Sequence, residues 1–583
     1  MCKGRILSVG LLLPLLPGIA SLLYFFSTGS TLLYFDSKAH LQIARGVTDG
    51  LTPGLAQLGG VWLPLFHALM LPLIWIDPLY RLGIPGSLIS MISFVLSSIL
   101  IFKLSNLILK DIKSAFLSTA IFCLNPNMLY MQSIPMTESL YILTFISSLY
   151  FLARWVIDRR HRDLLLSALC VFLASLTRYE GWSLIPLYTI VIIVVSLRRN
   201  EEKGARDKEH DKGKTEGLTV AFLSLASFGV ILWIIWCFVI FGDPLYFIFG
   251  EYSAHQCQVR LHEAGLLPTK GNLLLCISQY LFASARNSGE MLYLIFIASL
   301  VVFILKRKLT INSSPVYLLL FPVISHITSL YLGHTVLIVP QMTGINTREI
   351  FNARYGLLML PAVAIFIGAA ARGGRWRAIL LGAAVLIQYG YMLTTGDIVT
   401  LKDARDGWNN GDAREIERWL DEHYDRGYIL VDIFENTPRF VDMHIPLDRF
   451  IHQGTRGYWE KAIGELVEGQ ESRVKGRKSH LSTLNSQPLT VRWIWMRKGD
   501  RVWRRIHGSK VLRRHYRIVF REGEMYLYRY KEAGSRKQGR QGDKETRGQG
   551  EERDVLRRAY CDRHEQAHKR GKTCLLPSVS CFL

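Results

Sequence analysis

Between Ile6 and Thr395 the chain repeats one pattern: an apolar run long enough to cross a bilayer, then a short polar loop. A spanning helix needs roughly 20 mostly apolar residues. Runs of this kind fall near 6–27, 85–103, 114–131, 139–156, 163–178, 182–197, 218–241, 291–305, 314–335, 355–371 and 376–395. Hydrocarbon offers no partner to backbone N–H and C=O groups, so runs of this length must be helical. The expected fold class is therefore an α-helical polytopic membrane protein of about eleven transmembrane helices, followed by a small C-terminal α/β soluble domain. WLPLFHALMLPLIWI (Trp62–Ile76) is also apolar, but it is short and carries Pro64, His67 and Pro72. It fits an interfacial or re-entrant helix.

The chain has 583 residues, 50% hydrophobic yet 20% charged, with a net charge of +22. Lys and Arg gather in alternate loops: Lys103–Lys113, Arg154–Arg162, Arg198–Lys214, Lys306–Lys308 and Arg372–Arg377. The positive-inside rule puts these loops, and the N-terminal Lys3 and Arg5, in the cytoplasm. Everything from about residue 398 is then outside, with the plasma membrane of a prokaryote as the expected location. Topology and a basic tail account for the charge, and no recognition motif accompanies it, so nucleic acid is not an expected partner. The first run ends without a small-residue cleavage site and reads as a retained span. The nine cysteines form no CxxC or Cys/His cluster, so no metal site and no cofactor are expected. Cys257 and Cys276 share an outer loop where they could pair; two free thiols fit their spacing better.

Three domains follow: a membrane domain over 1–397, an extracytoplasmic α/β domain over 398–530 and a basic disordered tail over 531–583. In the outer domain, AREIERWLDEHY (Ala413–Tyr424) has helical periodicity with a cap at Asp412. YILVDIF (Tyr428–Phe434) and VRWIWMR (Val491–Arg497) read as strands, and YRIVFREGEMYLYRY (Tyr516–Tyr530) as a hairpin turning at Glu522–Glu524. The cytoplasmic stretch EEKGARDKEHDKGKTEG (Glu201–Gly217) reads as a solvated flexible connector.

This topology collects the unusual polar residues on one face. Asp36 and His40 follow the first span at i, i+4 spacing, on one helix face. Glu138 stands at the mouth of a later span, Arg178 and Glu180 lie in a tight turn, and Arg348, Arg354 and Tyr355 lead into another span. Polar residues at membrane depth are costly unless they pair or line a cavity. Each has a simpler structural explanation as well. Glu138 would cap its helix, Arg178 and Glu180 would pair within their turn, and Arg354 and Tyr355 would snorkel to the interface. Asp36 is harder to explain so, because the dipole at a helix C-terminus disfavours a carboxylate.

The stretches YFDSKAH (Tyr34–His40), NPNMLYMQSIPMTES (Asn125–Ser139), SLTRYEGW (Ser175–Trp182) and NARYGLLMLP (Asn352–Pro361) resemble the GT-C membrane glycosyltransferases. Within that group they look like the protein O-mannosyltransferase and aminoarabinose-transferase branch, over roughly residues 1–395. The mannosyltransferases carry Asp-Glu where this chain has Asp36–Ser37, which points to a single-Asp relative, and the WWDYG-type motif of oligosaccharyltransferases is absent. The resemblance implies transfer of a sugar from a polyprenyl-phosphate donor to a hydroxyl of a protein, lipid or glycan acceptor, by one inverting displacement and without a metal. A positioned carboxylate would take the acceptor proton, which is the role of Asp36, with His40 or Glu138 holding the acceptor or tuning the base. Guanidinium groups suit the departing phosphate, Arg354 first, then Arg348 and Arg178, with Glu180 and Tyr355 beside them. A transporter or flippase of a lipid-linked saccharide, or a non-catalytic membrane subunit, is the alternative.

Overall fold

A helix occupies Cys2–Ser27, with Pro14 and Pro17 inside it, and the chain leaves it directly into the amphipathic Phe35–Thr48 helix that carries Asp36 and His40. The computed structural model describes residues 2–201, 205–250, 253–306, 311–407, 414–436, 438–455, 457–468 and 490–531. The described residues form two units. The first runs to Ala413 and includes Arg439–His444; the second comprises Arg414–Pro438 and the chain from Ile445.

A helix stands at each of the eleven expected places in the first unit. Among the described residues, seven helices are long and apolar enough to cross a membrane, or eight if one bent pair counts as a span. Some places hold less than a full span: the helix from Ile112 stops at Cys123, because Asn125 caps a new one that starts at Pro126. The Ile84–Leu109 helix starts after left-handed Gly83 with Pro85 in its first turn, and buries Ser87, Ser90, Ser93, Ser97, Ser98 and Ser105. Small side chains let membrane helices pack closely. The outward faces expose large apolar side chains such as Leu294, Leu305, Val239 and Leu386, as contact with lipid requires. Leu65–Ile74 is a ten-residue helix, too short to span.

Two expectations need correcting. The connector is not all flexible: from Ala205 it is helical and runs unbroken through the span to Phe241. Its Ala, Arg, Lys and Glu residues favour helix, and extending a formed helix needs no new nucleus; residues 202–204 lie outside the described residues. The stretch 242–290, read as a loop between spans, holds the amphipathic helix Leu273–Ser288, which meets the next helix at 112°. The Val399–Asp406 helix falls in the first unit, and the second begins at Arg414.

The second unit holds a five-stranded sheet in the order β2-β1-β3-β5-β4. Its strands are β1 (Tyr428–Val431), β2 (Phe450–Ile451), β3 (Val491–Arg497), β4 (Tyr516–Glu522) and β5 (Met525–Tyr530). The first three are mutually parallel and the hairpin β4–β5 joins β3 antiparallel. Trp493, Ile494 and Trp495 are fully buried on β3, which explains its unbroken apolar run. Gly523, at φ 58°, makes the hairpin turn. The Glu415–His423 helix has Arg414 at its N-cap, whose backbone amide donates to Glu417 Oε2 at 2.8 Å; Asp412, the expected cap, lies outside the described residues. So does the tail beyond Lys531. Cys257 and Cys276 are both buried.

Gly356 fixes how closely the Arg354 segment approaches its neighbour. A Cβ there would stand 2.5 Å from the backbone of Ala283, which cannot step aside. Gly356→Ala should lower stability by about 1–3 kcal/mol, read as a fall in the thermal unfolding midpoint of the detergent-solubilised protein.

Candidate active site

Arg354 and Tyr355 sit in a 3₁₀ stretch, Ala353–Met359, longer than the three or four residues usual for that helix. Bonds from distant segments hold it. Asn352 takes the left-handed conformation at φ 58°, which its short side chain tolerates, and donates to the Val336 carbonyl at 2.8 Å. The Ala353 amide donates to Asp403 Oδ2 at 3.0 Å, and the Ala353 carbonyl accepts from Asn287 at 2.7 Å. The Tyr34 hydroxyl also bonds Asp403 Oδ2, at 2.9 Å, while its ring lies 5.2 Å from the Arg354 guanidinium carbon. The Asp403 helix is held in turn by Asn127, whose Oδ1 accepts from both the amide and the hydroxyl of Thr400.

On this frame the expected residues form a chain of alternating charge. Arg354 Nη2 is 2.5 Å from Asp36 Oδ2, and Arg354 Nε is 3.0 Å from Glu138 Oε1. The same Glu138 oxygen accepts from Arg178 Nη1 at 2.9 Å, and Arg178 Nη2 meets Glu180 Oε1 at 2.8 Å. His326 Nε2 ends the series, 3.4 Å from Glu180. Tyr355 lies beneath both guanidiniums, its ring centroid 5.3 Å from Arg354 Cζ and 5.4 Å from Arg178 Cζ.

The simpler explanations therefore fail, or hold only in part. Glu138 does not cap its helix: the N-cap is Met136, without a side-chain bond, and the carboxylate goes to the two arginines. Arg178 pairs within its turn and also reaches Glu138. Arg354 is buried rather than snorkelling. Arg348 is exposed and makes no ion pair among the described residues, so it is not brought into the chain.

Exposure and bonding together separate the carboxylates. The Glu138 side chain is 0% exposed, while Asp36 and Glu180, at the two ends, are each 19% exposed; both Glu180 oxygens meet Arg178, whereas Asp36 meets Arg354 through Oδ2. Burial raises the Asp36 carboxyl above its ordinary value, and the Arg354 charge offsets part of the rise. Two residues on, Lys38 pairs with Asp442 at 2.5 Å and holds this turn in place.

His40 faces the same side as Asp36 but bonds elsewhere: its Nδ1 is 2.8 Å from His67 Nε2. Burial pushes His67 down to about 4 and His40 well below its usual value, with His67 and the two arginines adding to the effect on His40. Both rings are neutral at pH 7. Tyr34, His67, His326 and Asp403 were not expected at this site. Their partners lie far away in sequence, and no local spacing announces them. Among the described residues no group of His, Cys, Asp and Glu could hold a metal.

Glu138→Gln would leave two buried guanidiniums short of their shared anion. It should destabilise the protein by about 3–5 kcal/mol and lower the unfolding midpoint more than Asp36→Asn does, since Asp36 is partly solvated.

Residues 82–205 match the family model of the dolichyl-phosphate-mannose-protein mannosyltransferases. No curated protein matches the whole sequence closely enough to count. Among solved structures, ArnT from Cupriavidus metallidurans, bound to undecaprenyl phosphate, is similar over 88% of this chain and 97% of its own, at 12% identity and a TM-score of 0.52. The oligosaccharyltransferase of Archaeoglobus fulgidus, in complex with zinc and sulfate, aligns with 85% of this chain and 69% of its own, at 11% identity and a TM-score of 0.43. The chain has a multi-pass set of membrane-length helices and shares the GT-C fold of the ArnT structure, and its segment 82–205 matches the mannosyltransferase family model.

Proposed function

We propose that the protein transfers a sugar from a polyprenyl-phosphate donor to an acceptor hydroxyl at the outer face of the membrane, in one inverting displacement with Asp36 as base. The observation that carries this reading is the position of Asp36, a partly exposed carboxylate at one end of the charge chain that meets its arginine through Oδ2, where the equally exposed Glu180 at the other end has both oxygens on Arg178. The donor class rests on two likenesses. The matched family is described by dolichyl-phosphate-mannose, and the ArnT structure holds undecaprenyl phosphate. Both are phosphates of long isoprenoid alcohols.

In the reaction the acceptor oxygen attacks the anomeric carbon, its proton passes to Asp36, and the bond from that carbon to the phosphate oxygen breaks with the electron pair leaving on phosphate. Arg354 couples these events. While Asp36 is ionised it neutralises Arg354 at 2.5 Å. Once Asp36 takes the proton, the Arg354 charge is uncovered as the phosphate gains its own. A cation fixed where charge develops lowers the barrier without reorganising. Arg354 therefore serves the leaving group indirectly, already anchored by Glu138, and Arg348, exposed and without an ion pair among the described residues, meets the phosphate first. Glu138 and Arg178 hold the geometry, with Glu180 and Tyr355 behind them, and His40 stands one helical turn from the base to contact substrate.

Asp36→Asn should abolish transfer while the protein still binds the lipid donor; an asparagine variant with wild-type turnover would remove Asp36 as base. The base works deprotonated, and its carboxyl is raised, so transfer should fail on acidification above pH 3.8, the ordinary aspartate value. A pH profile of turnover that stays flat through that region would contradict the assignment.

A further inference from the structure

The loop before the Leu65–Ile74 helix carries an aromatic side chain that the charge chain does not use. Trp62 is half-buried, its indole 4.3 Å from the His40 ring centroid and parallel, at 6.3 Å, to the ring of His67. His40 and His67 are buried and bonded nitrogen to nitrogen. Such a bond needs one imidazole to donate and the other to accept, so the two rings fix each other's tautomers. Neither carries charge at neutral pH.

The loop is tied to the turn that supplies Arg178. The Tyr179 hydroxyl donates to the Val61 carbonyl at 2.6 Å, Trp236 donates to the Gly59 carbonyl at 2.8 Å, and the Leu65 amide donates to the Leu176 carbonyl at 3.0 Å. Gly60 leaves no space for a side chain, since a Cβ would stand 2.5 Å from the Phe241 ring and 2.6 Å from that of Tyr246. On the other side, His40 is one helical turn from Asp36. An uncharged surface of indole and imidazole thus lies beside the ionic chain, held to it from both sides.

The two surfaces suit different parts of one ligand. A phosphate is drawn to cations. A sugar ring instead presents C–H groups on its faces and hydroxyls around its rim, and needs a flat apolar surface with a few neutral hydrogen-bonding groups. We propose that Trp62, with His40 and His67, forms the subsite that receives the sugar ring of the lipid-linked donor. The indole covers a C–H face, and His40, oriented by His67, bonds a ring hydroxyl. This inference rests on the donor class proposed above.

The test is binding of two probes to the purified full-length protein: a polyprenyl phosphate carrying a hexose or pentose, and the same polyprenyl phosphate without sugar. Wild type should prefer a sugar-bearing lipid. Trp62→Leu should lose that preference by about tenfold, while its affinity for the bare phosphate lipid is unchanged and Trp62→Phe keeps most of the preference. His67→Gln, which leaves the indole in place, should weaken only the sugar-bearing lipid and serves if Trp62→Leu does not fold. A preference unchanged in both variants, or an equal loss for both lipids, overturns the subsite. A wild type that binds no sugar-bearing lipid better than the bare one overturns the donor class, and the subsite with it.

Discussion

One buried carboxylate oxygen organises the site. Glu138 Oε1 accepts from Arg178 and Arg354 together, at 2.9 and 3.0 Å, in a side chain with no solvent exposure. Two guanidiniums this close in a poorly polarisable medium repel strongly unless an anion lies between them. Glu138 stands at the start of one helix, Arg178 in a turn and Arg354 in a 3₁₀ stretch, so the shared oxygen joins three distant parts of the chain. Asp36 and Glu180 then add at the two ends. The series has three carboxylates and two guanidiniums.

The supporting shell does different work. Asp403 receives the Ala353 amide and the Tyr34 hydroxyl on one oxygen, so the segment bearing Arg354 and the residue stacked beneath it share an anchor. Groups fixed in this way need not reorganise during reaction, which is where electrostatic catalysis gains most. The His40–His67 pair extends the same economy to the uncharged side: a single hydrogen bond removes the freedom of both rings.

The sequence revealed most of the membrane part because bilayer thickness imposes a length and a composition on every span. The strand VRWIWMR and the hairpin turning at Gly523 were equally legible, the first from its continuous apolar run and the second from a turn residue between alternating segments. The site residues were legible as types on one face, not as partners. That Arg354 is bound to Asp36, 318 positions away, is written in no local pattern. Nor is the bond from Tyr34 to Asp403. Arg348 and Arg354 looked alike in sequence, yet one is exposed and the other buried, because only Arg354 finds two anions within reach. The helix at Leu273–Ser288 was hidden by its polar face, and the helical connector by its charge.

The central claim is a single displacement with a carboxylate taking the acceptor proton. It is tested most directly by the stereochemistry of the product. A polyprenyl-phosphate sugar of known anomeric configuration would be turned over by the full-length enzyme, and the configuration of the transferred sugar read by NMR. A base at Asp36 with direct attack at the anomeric carbon gives inversion. Retention would mean a covalent intermediate or two displacements, and would contradict the account.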